Sequence, residues 1–63
     1  MIITKKNASK VLLEYRMEKN ITQLEIAKKA DISLPTLSGI ESGRLTPQTM
    51  TIFKLQKYFD SIG

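Results

Sequence analysis

A chain of 63 residues reads as one domain with a thin core, because a domain of about that size buries only roughly 60% of the surface its unfolded chain exposes. With no Cys and no His it can build neither a disulfide framework nor the usual zinc sites, and it lacks the common nucleophile and general-base pairs, so the expectation is a non-enzyme without metal or cofactor. Ten Lys and Arg against six Asp and Glu leave a net charge of +4, which suits a polyanionic partner such as nucleic acid.

Residues 1–6 read as an N-terminal arm, loose or docked at an interface, since Ile2 and Ile3 followed by two lysines form no stable element alone. Residues 1–4 are too short for the apolar part of a signal peptide, and no run approaches the roughly 20 apolar residues that span a bilayer, so a cytoplasmic protein is expected. Asn7 or Ser9 can cap a first helix in which Ala8, Val11, Leu12 and Tyr15 form one apolar stripe, running to about Lys19. Asn20 tolerates the left-handed conformation that ends a helix.

Thr22 followed by Glu25 is a capping-box signature, and it starts a second helix at Gln23 whose inner side is Ile26, Ala27 and Ala30. Alanines there allow a neighbouring helix to come close. Asp31 and Ile32 make the turn. Ser33 caps a third helix over about 34–42, with Pro35 in its first turn, where no N–H is missed, and with only Leu34, Leu37 and Ile40 as an apolar stripe; Gly43 stops it. Thr46 and Pro47 mark a fourth start, and Ile52, Phe53, Leu55, Tyr58 and Phe59 give that helix an apolar face to about Asp60. The fold class is all-α, a compact bundle of four or five short helices.

Two short helices joined by a brief turn, the first with alanine inside and the second weakly apolar, describe a helix-turn-helix over residues 22–42. The run TQLEIAKKADISLPTLSGIESG resembles the signature of the Xre or Cro/C1-type family of bacterial and phage repressors. Arg16, Thr22, Gln23, Glu25, Ala27, Ile32, Ser33, Leu37, Ile40, Glu41, Gly43 and Pro47 stand in family register, and the likeness runs from about Leu12 to Phe59.

That resemblance implies a lambda-repressor-like fold and a sequence-specific regulator, a repressor that binds a palindromic operator in double-stranded DNA as a homodimer. It implies that Gln23, beside Thr22 at a helix start, reaches a phosphate, although a solvent-exposed Gln would look the same. The third helix would enter the major groove with Ser33, Leu34, Pro35, Thr36, Ser38 and Gly39 nearest the bases, and Arg44 would clamp the backbone. Arg16 and Glu41 correspond to a salt bridge between the first helix and the end of the third, the alternative for Arg16 being a phosphate ligand.

At the reading face this chain offers Leu34, Pro35 and Gly39 where Gln, Arg or Asn commonly stand in the family, so specificity is expected from methyl contacts and DNA shape. Leu34 equally suits a core or protein-binding role. Residues 31–46 are not basic, with Asp31 and Glu41 against Arg44, whereas residues 1–20 carry five cations and two carboxylates. Lys28 and Lys29, and Glu14 with Glu18, read as solvated helix faces. Phe53, Tyr58 and Phe59 suit core plus dimer surface better than a base-stacking platform. The second reading is an interaction protein, an antitoxin or anti-repressor, that meets a toxin or repressor through Leu34, Pro35 or the Ile2–Ile3 arm.

Overall fold

The computed structural model describes residues 1–62 and contains, among them, four α-helices and no strand: α1 (Ala8–Lys19), α2 (Gln23–Ala30), α3 (Leu34–Glu41) and α4 (Thr49–Ile62). No helix is long and apolar enough to cross a membrane. The core is built from Ala8 and Leu12 of α1, Ile26, Ala27 and Ala30 of α2, Leu37 and Ile40 of α3, and Leu55, Tyr58 and Phe59 of α4, joined by Ile3.

The helix ends follow local chemistry. Asn20 and Asp31 both adopt the left-handed conformation, with φ of 57° and 61°, closing α1 and α2 at residues whose short polar side chains tolerate it. Thr22 Oγ1 accepts from the Glu25 N–H at 3.1 Å, and Ser33 Oγ accepts from the Thr36 N–H at 3.2 Å. The capping box is only half formed, because the Glu25 carboxylate turns to Lys29 at 3.5 Å, one helical turn on.

Of the two alternatives for residues 1–6 the segment is docked, and on its own chain: Ile3 is buried, its N–H donates to Gln56 Oε1 at 2.9 Å, and Gln56 Nε2 donates to the Met1 carbonyl at 2.9 Å, which ties the segment to α4. Asn7 and Ser9 spend their side chains elsewhere than at the start of α1. Asn7 Oδ1 accepts from the Thr4 N–H at 2.7 Å, while Ser9 Oγ donates to the Glu41 carbonyl at 2.6 Å and ties α1 to the end of α3. α4 begins after the Thr46–Pro47 signal, because Pro47 is packed inside the loop and the first helical bond runs from the Ile52 N–H to the Gln48 carbonyl. Phe53 is 64% exposed; it lies two residues before Leu55 and so about 200° round the helix from the buried line.

Tyr15, Tyr58 and Phe59 form an edge-to-face cluster, with Tyr15 at 5.0 Å from Phe59 and 6.3 Å from Tyr58. Burial, with the neighbouring Tyr15 and Glu25 as smaller causes, pushes the Tyr58 phenol up to about 12. The unfolded chain loses this proton near pH 10. Stability is therefore complete below about pH 10 and falls as the pH rises from there to about 12. Thermal melts of wild type and Tyr58→Phe across that window are expected to converge as the pH rises, because the variant lacks the alkaline loss.

Candidate nucleic-acid interface

The cap at Thr22 sets the start of α2 so that the first-turn N–H groups not used by the hydroxyl point outward, a favourable setting for an anion. Gln23 follows directly and is half-buried. The cap at Ser33 does the same for α3, and its Oγ also donates to Thr36 Oγ1 at 2.7 Å. The two starts are neighbours: Thr22, Gln23, Leu24 and Leu34 line one shallow open depression of about 620 Å³, with Arg16 at its edge. Ser33, Leu34 and Pro35 are exposed, and Thr36 and Ser38 are half-buried.

Arg16 and Glu41 hold this pair of helices on α1. The guanidinium is bidentate, Nε donating to Oε2 at 2.8 Å and Nη2 to Oε1 at 2.5 Å, and Nη1 donates to the Ile21 carbonyl at 3.1 Å just before α2. The Glu41 side chain is only 6% exposed and that of Arg16 22%. Hydrogen bonding to Glu41 raises the Arg16 pKa above its ordinary value against the opposing pull of burial, so the cation persists at every working pH. Each guanidinium nitrogen donates one bond, and one side chain thereby joins α1, the α1–α2 turn and the end of α3.

Beyond α3 the chain reverses at Gly43, whose φ of +83° needs glycine. Arg44 follows, exposed, its N–H reaching Ser42 Oγ at 3.4 Å. Gly39 is buried, because Leu45 folds back over it with the Leu45 N–H donating to the Gly39 carbonyl at 3.0 Å. Leu45 and Leu24 are the residues at this surface that sequence reasoning passed over. Leu24 sits on the outer side of an amphipathic helix, and Leu45 is an isolated apolar residue in a loop, so neither belongs to a periodic stripe.

Among the described residues no group of carboxylates is placed to hold a metal ion. The surface presents helix starts, an amide, hydroxyls, three leucines and one exposed guanidinium, equipment for grasping phosphates and touching apolar base edges.

A family described as Helix-turn-helix matches residues 12–62 of the chain. The chain is also similar to an uncharacterized HTH-type transcriptional regulator of Methanocaldococcus jannaschii, 40% identical over 45 residues that cover 71% of this chain and 68% of that protein. No solved structure matches.

Proposed function

The chain belongs to the helix-turn-helix family of the Xre or Cro/C1 type, DNA-binding regulators of transcription, and from that premise we propose that it is a repressor binding a palindromic operator in duplex DNA as a homodimer. The observation that carries the DNA-reading surface is the shared depression at the starts of α2 and α3, which puts a phosphate-grasping helix end beside an exposed helix sized for the major groove. Gln23, next to Thr22, takes a phosphate. Ser33, Leu34, Pro35, Thr36 and Ser38 face the groove, and Arg44 clamps the backbone beyond α3.

The molecule measures 23 × 19 × 18 Å between its Cα extremes, less than one turn of duplex at about 34 Å, so one copy covers one half-site and a palindrome takes two. Repression follows by occupancy, the bound pair standing where RNA polymerase would. Arg16 serves by aiming: three of its five N–H groups are committed to Glu41 and Ile21, which fixes its orientation within the protein.

The competing reading, an antitoxin or anti-repressor, is favoured by exposed Leu34 and Pro35, but it loses half of its apolar arm now that Ile3 is spent in the core.

Binding measured against salt concentration tests the assignment. Each phosphate ion pair contributes about 0.9 to the slope of log affinity on log salt. Arg44→Ala is expected to flatten the slope by about one unit, whereas Gln23→Ala, being neutral, weakens binding at nearly constant slope. An unchanged slope in Arg44→Ala removes that residue from the backbone contacts.

A further inference from the structure

Residue 39 lies on the outward half of α3, one turn beyond Pro35 and on the opposite side from Leu37 and Ile40, which are fully buried. A side chain there would project toward the groove. Glycine leaves that place empty, and the loop fills it: a Cβ built on Gly39 would stand 2.5 Å from Leu45 Cδ1, 2.7 Å from Leu45 Cγ and 3.3 Å from Arg44 Nη2. The arrangement is held by backbone at both ends. Gly43 turns the chain with its N–H on the Ile40 carbonyl at 3.0 Å, and the Leu45 N–H returns to the Gly39 carbonyl at the same distance. Ser42 Oγ donates to that carbonyl as well, at 3.1 Å.

Leu45 is nevertheless 46% exposed. One side of its isobutyl group covers Gly39, and the other faces outward beside Arg44. The exposed part of the leucine gains nothing in the free protein, and it occupies the place that a groove-reading side chain of α3 would take. Its chemistry suits one feature of the major groove above all, the C5-methyl group of thymine, the apolar feature among donors and acceptors.

We propose that Leu45, seated on the side-chain-free surface of Gly39, is a base-reading residue supplied from the loop after α3, which contacts a thymine methyl in each half-site. This rests on the DNA-reading surface proposed above. Gly39 is its positioning residue, and Arg44, carried by the same loop, is set against the backbone by the same seat.

The test uses the full chain and the duplex that it selects from a random pool. Each thymine of that duplex is replaced in turn by deoxyuridine, which lacks only the methyl group, and affinity is measured for wild type, Leu45→Ala, Leu34→Ala and Gly39→Ala. Wild type is expected to lose about fourfold at one thymine per half-site, the worth of one buried methyl. Leu45→Ala loses affinity for the thymine duplex and becomes indifferent to that replacement, whereas Leu34→Ala keeps the wild-type response there. Gly39→Ala swings Leu45 off its seat and behaves like Leu45→Ala, while Gly39→Ala/Leu45→Ala binds as Leu45→Ala alone does. Thermal melts of all the variants accompany the titrations. Since alanine is the better helix former, Gly39→Ala is expected to fold at least as well as Leu45→Ala. If every thymine replacement costs Leu45→Ala what it costs wild type, Leu45 reads no methyl and the inference fails while DNA reading stands. If no duplex is enriched from the pool, the DNA-reading surface itself fails, and this inference with it.

Discussion

Glu41→Ala is expected to cost about 1 to 3 kcal/mol of folding stability, because it strands a partly buried guanidinium that keeps only its bond to the Ile21 carbonyl. A domain of this size holds only about 3 to 9 kcal/mol in total, so the variant is expected to give up a large fraction of its stability. The loss does not measure the worth of the pair. Replacing both partners with apolar residues of similar volume, as in Arg16→Met/Glu41→Leu, removes the stranded charge and is expected to restore most of the stability. Urea midpoints of wild type, the two single variants and the double variant report the coupling directly. Independent effects that simply add would mean that the two side chains do not depend on each other. DNA binding by the double variant then separates aiming from touching. An unchanged salt slope agrees with Arg16 as the residue that aims α3, while a loss of about one unit would make it a phosphate ligand.

The second large effect lies on α3 itself, where Leu37 and Leu34 are one turn apart and do opposite work. Leu37 is fully buried, and its truncation to alanine is expected to cost about 3 to 4 kcal/mol, as much as the smaller estimate of the whole stability. Leu34 is 39% exposed at the edge of the depression, and the same truncation there is expected to change stability by less than about 1 kcal/mol. DNA affinity is expected to separate the pair the other way: Leu34→Ala weakens binding by a folded protein, whereas Leu37→Ala weakens it only as far as it unfolds. Paired thermal melts and titrations at a temperature where both are folded distinguish these outcomes. Equal affinity of folded Leu34→Ala and wild type would take Leu34 out of the groove and favour a protein-facing role.

The parts of the fold that could be read from the sequence are those governed by short-range chemistry. Thr22 and Ser33 accept backbone N–H groups three residues on, Asn20 turns left-handed, and Ile26, Ala27 and Ala30 line one side of a single helix. Each outcome is decided within one or two helical turns, so a local pattern predicts it. The misreadings needed tertiary information. Ile3 is buried because Gln56, 53 positions away, receives its N–H, and Ser9 leaves its own helix start for the Glu41 carbonyl 32 positions on. Adjacent apolar residues at 52 and 53 admit two phases of the helix, and in the fold Ile52 packs against the core while Phe53 stays in solvent. At the interface, the caps and the helix order were legible, whereas the seat of Leu45 on Gly39, six residues back, depends on how the loop after α3 folds. Nothing local in the chain reports that path.

The central claim is that α3, aimed from α1 and presented beside the start of α2, reads the major groove of a symmetric site. The most direct test is selection from a pool of random duplexes with the full chain, followed by sequencing of the bound fraction. Enrichment of an inverted repeat whose half-site centres lie about one helical turn apart is expected, and loss of that enrichment in a folded variant that lacks Leu34, Ser38 and Arg44. Recovery of a duplex population no different from the starting pool, by a protein shown to be folded, would contradict it.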